Sequence, residues 1–182
     1  MAASILDLGC GQGDMARGLI TAMGPYGEIV AVDPSPELLY EAENRSQNDW
    51  ERRIQWMMGT HHHIFYHDRS FDRILAEFIF DDLYATDILD ELQRLICDRG
   101  RIVLLCYGTQ KNHLARFARR IWNWVVSYRH FVGVPSRNFP GTPIDVQRLE
   151  ALISGYNFHI VNSHQWLGGF IYGLTIEYCE PK

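Results

Sequence analysis

The sequence predicts an α/β fold, a doubly wound, mostly parallel sheet of seven strands that closes with a C-terminal antiparallel hairpin. Three observations carry that expectation. Short β-branched runs alternate with amphipathic stretches through the first hundred residues, the pattern of repeated βα units. The first of these runs opens into a glycine-rich turn and then a helix. Near the C-terminus the pattern changes to two extended runs around Gly168-Gly169, a hairpin signal.

Each element has its own reason. Ser4–Leu8 (SILDL) is the first strand, and Asp14–Met23 the first helix, with Met15, Leu19 and Met23 spaced four apart. The run 28–32 (EIVAV) is the second strand. Ser35 caps the next helix, and Pro36 takes its first position, where a missing N–H costs nothing. Ile54–Met58 is the third strand. A polar, histidine-rich connection leads to 71–76 (FDRILA), the fourth. Thr86 is the expected N-cap of a helix with Ile88, Leu89, Leu92 and Leu95 on one face. Residues 98–100 stop that helix, and 101–107 (RIVLLCY) is the fifth strand.

The second half reads differently. Residues 112–128 carry an apolar stripe at helical spacing through Leu114, Phe117, Ala118, Ile121, Val125 and Tyr128. The segment 109–141 is therefore expected as a helical insertion or lid after strand five, within one domain spanning 1–182. Thr142, with Asp145 three residues on, opens a helix through Leu149 and Leu152 that Gly155 ends. The runs 156–163 and 170–178 form the hairpin at the sheet edge.

Composition narrows the classes. A chain of 182 residues suits one core, and 47% hydrophobic with 21% charged residues is a globular balance, neither disordered nor fibrous. A net charge of −5 argues against a protein that depends on nucleic acid phosphates. No apolar run approaches the roughly 20 residues that span a bilayer, and residues 1–4 carry no signal-peptide pattern. Cys10, Cys97, Cys106 and Cys179 are scattered, with no C-x-x-C pair. They read as reduced thiols of a cytoplasmic protein.

The strongest signal is Ile5-Leu6-Asp7-Leu8-Gly9-Cys10-Gly11-Gln12-Gly13-Asp14. Glycines after a strand permit positive φ and let the backbone approach a ligand. A dinucleotide loop has G-x-G-x-x-G facing a pyrophosphate. Here the pattern is G-x-G-x-G, and Asp14 stands where the third glycine would fall. Asp7 and Asp14 would repel a pyrophosphate between them. They suit a cation-bearing ligand, and S-adenosylmethionine carries a sulfonium and an ammonium with no phosphate.

At these residues the chain resembles the class I S-adenosylmethionine-dependent methyltransferases, in particular the ubiquinone/menaquinone-biosynthesis-like subgroup. Asp7-x-Gly9-x-Gly11-x-Gly13 is similar to the family's first motif, and Val30-Ala31-Val32-Asp33 to its second, whose acid binds both ribose hydroxyls. Ser70-Phe71-Asp72-Arg73-Ile74, Glu91-Leu92-Gln93-Arg94-Leu95 and Asp98-Arg99-Gly100-Arg101-Ile102 resemble the passages before strands four and five. The resemblance implies a Rossmann-like sheet and a cofactor site of Asp7, Gly9, Cys10, Gly11, Gly13, Asp33, Pro34, Gly59, Thr60, His61, Glu77 and Phe78. Three departures stand out. The acid expected after Gly59, which accepts from the adenine amino group, is replaced by Thr60 and His61. Phe80-Asp81-Asp82 replaces the usual L-H-H, where the two acids either orient a reacting group or cap a helix. The helices that usually precede strand one have no counterpart, implying a truncated chain or another segment over the pocket.

Further candidates are weaker. His61-His62-His63 with His67 invites a metal reading, but adjacent histidines diverge and metal ligands gather from separated positions. No metal is expected, and His61 is taken as an adenine contact. Between Thr109 and Arg148 lie seven basic residues against one acid, interleaved with Phe117, Trp122, Trp124, Tyr128 and Phe131. This reads as a helix with a solvated basic face, or as a lid with peripheral membrane contact through 111–131. No general base stands out, and Tyr107, His113 and His130 are weak candidates, with His164 more remote. The expected activity is methyl transfer from S-adenosylmethionine, with S-adenosylhomocysteine as product, to a small-molecule or lipid-like acceptor. The alternatives are a non-catalytic methyltransferase-like subunit and, against the sense of Asp14, an NAD-dependent oxidoreductase.

Overall fold

A computed structural model describes residues 3–45, 49–80, 84–108 and 144–179. The expected insertion at 109–141, with His113, His130 and the segment 111–131, lies outside these residues, as do Asp81, Asp82 and Thr142. The strands are β1 (Ser4–Leu8), β2 (Glu28–Asp33), β3 (Ile54–Met58), β4 (Phe71–Glu77), β5 (Ile96–Tyr107), β6 (Phe158–Trp166) and β7 (Ile171–Tyr178). The helices are α1 (Asp14–Met23), α2 (Pro36–Asn44), α3 (Ala85–Leu95) and α4 (Val146–Ser154).

The seven strands form one sheet in the order β3-β2-β1-β4-β5-β7-β6. Strands β1 to β5 run parallel, and β7 is antiparallel to both β5 and β6. The order reverses between β1 and β4, and in doubly wound sheets ligands usually bind beyond the carboxyl ends of the strands at such a switch point.

Helices cover both faces, so the central strands are apolar along their length rather than alternating. Ile5, Ile29, Ala31 and Ile54 pack on Ala16 and Ile20 of α1 and Leu39 of α2. Leu6, Leu8, Val30 and Val32 belong to the larger core with Ile88, Leu89, Leu92 and Leu95 of α3 and Leu149 and Ile153 of α4. In α1 the buried face is therefore Ala16 and Ile20, and Met15 is 38% exposed. Helix α2 starts as expected, with Ser35 Oγ accepting the Leu38 N–H at 3.2 Å and Pro36 in the first turn.

Strand β6 runs Phe158–Trp166 where 156–163 is expected, and three other boundaries differ from expectation, each for a packing reason. Helix α3 begins at Ala85, before Thr86, because Ala85 is buried in the core, and its N-cap Tyr84 makes no side-chain capping bond. The same helix ends at Leu95, and β5 begins at once with the fully buried Ile96 paired to Phe71. The Asp98-Arg99-Gly100 turn becomes a register shift inside β5, with Arg99 at φ 57°. A Cβ on Gly100 would stand 2.5 Å from the Ile96 side chain, so this bend requires glycine. Helix α4 is capped by Asp145, which accepts the Gln147 N–H at 3.0 Å. Ile144 is still extended there, donating to the Tyr107 carbonyl at 2.8 Å, so a cap at 142 falls too early.

Candidate functional site

The loop between β1 and α1 owes its shape to positive φ at all three glycines, 81° at Gly9, 55° at Gly11 and 75° at Gly13. Such values are nearly free for glycine and strained for other residues. The N–H groups of Gly9 and Cys10 both donate to the Val32 carbonyl, at 2.9 and 3.0 Å, which folds the loop over the end of β2. A Cβ on Gly9 would reach Ile79 at 2.5 Å, and one on Gly13 would enter the Trp56 ring. At Gly11 a Cβ would meet no atom within 4 Å. Gly9 and Gly13 are held by neighbours, while Gly11 faces open space.

Asp33 ties this loop to the second strand. Its Oδ2 accepts the Gly11 N–H at 2.9 Å and its Oδ1 accepts the Ser35 N–H at 2.9 Å. Each oxygen keeps a second lone pair, so the carboxylate retains the capacity to accept two ligand hydroxyls. The Asp33 carbonyl accepts the Gly59 N–H at 3.2 Å, and Pro34 follows, exposed. The ends of β1, β2 and β3 thus meet at one residue, Asp33, the first two through its carboxylate and the third through its backbone carbonyl.

Asp7 is fully buried at the end of β1, and Asp33 is 7% exposed. Their field registers at Cys10, whose thiol is pushed up first by burial and then by the charges of Asp7 and Asp33. Asp14 plays a smaller part than its sequence position suggests. It is exposed and ion-paired to Arg45 at 3.1 Å and Arg17 at 3.3 Å, which offsets its charge. Asp7 and Asp33 are therefore the buried acids beside the loop.

Sequence reasoning missed the brace outside the loop. Arg17 donates to the carbonyls of Gln12 and of Ala42 in α2, and lies over the Trp56 ring at 5.8 Å. The Gln12 side chain donates to Glu41 of α2. The i,i+3 pair Asp14 and Arg17 was the available signal.

The remaining candidates flank the loop at the strand ends. Glu77 ends β4, with its carbonyl 3.2 Å from where a Gly9 Cβ would stand. Phe78 follows at φ 55°, its N–H held by the Leu105 carbonyl at 2.7 Å. A bulky residue in that conformation costs about 1–3 kcal/mol and marks functional turns. Its ring stacks on Tyr107 at 4.5 Å and 22°, and Tyr107 rests against Phe170 at 5.3 Å. Thr60 is exposed after β3, and the His61 ring lies 4.0 Å from His62 and 6.1 Å from Tyr84. His164 lies apart on the exposed face of edge strand β6, 3.1 Å from Asn162. Among the described residues no three His, Cys, Asp or Glu side chains are grouped to hold a metal ion.

A parallel sheet of this order, with an antiparallel strand inserted before the edge and a glycine loop between buried carboxylates, defines a class. It is the fold of S-adenosylmethionine-dependent methyltransferases. A solved S-adenosylmethionine-dependent methyltransferase from Methanosarcina mazei superposes with a TM-score of 0.73, covering 99% of this chain and 94% of its own, at 16% identity. That likeness shows the fold alone. Residues 5–100 match the family model described as a methyltransferase domain, and the chain belongs to that family, whose cofactor is S-adenosylmethionine. It is 34% identical over 102 residues to the demethylmenaquinone methyltransferase of Thermotoga maritima, a match covering 56% of this chain and 42% of that protein. It is 29% identical over 181 residues to the 2-phytyl-1,4-naphtoquinone methyltransferase of Thermosynechococcus vestitus, covering 93% of this chain and 78% of that one. The chain thus spans less than half the length of the first of these relatives.

Proposed function

We propose that this chain binds S-adenosylmethionine on the Gly9–Gly13 loop and transfers its methyl group to a small, ring-bearing acceptor of the quinone type. The observation that carries the cofactor is the Gly11 N–H to Asp33 bond beside the open space at Gly11. Asp33 would accept the ribose hydroxyls, and the buried Asp7 and Asp33 would favour positive charge over phosphate. Gly59, Thr60 and His61 would border the adenine. Glu77 and Phe78 would line the methionine end. When bound, the cofactor supplies an electrophilic methyl group on a sulfonium.

The residues of this chain then have two tasks, alignment and exclusion of water. The Phe78, Tyr107 and Phe170 rings offer an apolar wall suited to a flat acceptor, and the named substrates of the two relatives are naphthoquinones. A lipid-like acceptor, with membrane contact through 111–131, fits the basic and aromatic composition of that segment. A cytoplasmic location belongs to the same proposal and rests on the four free thiols. Among the described residues no helix is long and apolar enough to cross a membrane.

The exposed Thr60 in place of an acid favours a second reading, a subunit that binds cofactor without transferring methyl. Titration calorimetry with S-adenosylhomocysteine, followed by labelled methyl transfer to a demethylated prenyl naphthoquinol, separates the two. Binding with transfer supports the enzyme. Binding without transfer to any quinol supports the subunit, and no binding removes both.

A further inference from the structure

The connection from β3 to β4 bears Gly59, Thr60 and His61, and its far half is strapped to α3. Glu91 is 6% exposed, and its Oε1 accepts the Ile64 N–H at 2.6 Å. Arg94 closes on that carboxylate with two bonds, Nε to Oε2 at 2.8 Å and Nη2 to Oε1 at 2.7 Å. The same guanidinium donates to the Ile64 carbonyl at 2.9 Å, the Tyr66 carbonyl at 2.8 Å and Asp68 Oδ1 at 2.7 Å. A guanidinium has five N–H donors, and these five acceptors match them.

Other contacts continue the strap. The N–H groups of Arg69 and Ser70 donate to the carbonyls of Arg94 and Leu95 at 2.8 and 2.9 Å. At the opposite end of α3, His62 meets Tyr84 edge-on at 4.7 Å and lies 4.0 Å from Asp87. Between these anchors Thr60 and His63 bridge each other, so fixing Ile64 fixes the turn that precedes it. Burial alone would push the Glu91 carboxyl up, but bonds from Arg94 and the Ile64 N–H outweigh it and hold the group below the ordinary range. The pair is therefore ionised at neutral pH.

We propose that Glu91 and Arg94 are positioning residues, which hold residues 60–63 in place to read the amino edge of adenine. The inference rests on the reading of Gly59-Thr60-His61 given above. A carboxylate after Gly59 would attract the amino group through its charge and tolerate some play. A short neutral hydroxyl has no such reach, so its base recognition depends on a backbone fixed to within a few tenths of an ångström. An exposed, polar, histidine-rich connection would otherwise be among the more mobile parts of the chain.

The test compares S-adenosylhomocysteine with S-inosylhomocysteine, in which a carbonyl replaces the exocyclic amine, by titration calorimetry on the full chain. The wild-type protein is expected to favour the adenosyl ligand. Arg94→Lys keeps the charge and loses the planar fork. It should weaken the adenosyl ligand about tenfold, the worth of one good hydrogen bond, and the inosyl ligand less than about twofold. Glu91→Gln should shift the ratio in the same direction. Should Arg94→Lys fail to fold, Asp68→Ala, at an exposed side chain, removes one anchor and should lower the ratio about two- to threefold. A merely structural pair would lower the melting temperature and leave the adenosyl-to-inosyl ratio unchanged, and that result overturns the proposal. A wild-type chain that binds neither ligand overturns the cofactor reading itself, a distinguishable failure.

Discussion

The Gly11 N–H donates to Asp33 Oδ2 at 2.9 Å across 22 residues of sequence. One bond therefore joins the loop after β1 to the end of β2 and fixes the carboxylate beside the only loop glycine whose Cβ direction is open.

Removing that carboxylate acts twice, on the ligand hydroxyls and on the loop. Asp33→Ala is expected to weaken S-adenosylhomocysteine binding by about 2–3 kcal/mol, the range for losing a charged acceptor of two hydrogen bonds. Calorimetric affinity within about threefold of wild type would show that the second strand's acid is misread.

The three loop glycines should separate by phenotype. Gly11→Val strains the backbone by about 1–2 kcal/mol and fills the open space, so binding is lost while the far-ultraviolet circular dichroism stays close to wild type. Gly13→Val drives a side chain into Trp56 and should lower the melting temperature further than Gly11→Val does. Equal melting temperatures for the two variants would contradict this division.

Thiol chemistry tests the charge around the loop. Burial and the nearby Asp7 and Asp33 push the Cys10 thiol up, and burial pushes Cys106 up to about 12. Both remain protonated at pH 8, and the thiolate is the reactive form. Mass mapping after brief alkylation of the native protein should find Cys10 and Cys106 unmodified, with labelling only after denaturation.

Acid should loosen the strap on α3. The Glu91 carboxyl is held below its ordinary value, so it contributes stability that is present above the unfolded glutamate value of about 4.3 and lost as pH falls through the lower folded value. Thermal melts from pH 6 to pH 3 should therefore fall more steeply for wild type than for Glu91→Gln. Parallel curves would remove Glu91 as a source of acid sensitivity.

Much of this protein was legible before folding because its signals are local. The apolar runs at 4–8, 28–32 and 54–58, the Ser35-Pro36 start and the Gly9-x-Gly11-x-Gly13 turn each follow from neighbours in sequence, and these three strands recur within a residue of expectation. The boundaries of α3, β5 and α4 moved under burial: Ala85 and Ile96 are drawn into the core, and the buried Ile144 is held extended by Tyr107. A capping rule that weighs only adjacent residues cannot register that pull.

The amino-acid order alone determined the alternation of strands and helices, the glycine turn and the acids at the ends of β1 and β2. Each depends on backbone preference and side-chain period over a few residues. Tertiary structure alone decided that Asp14 is ion-paired to Arg45, that Asp33 holds Gly11, and that Arg94 gives three of its five donors to residues 64–68. These are long-range electrostatic and hydrogen-bond pairings, set by which strand and helix ends the sheet order brings together.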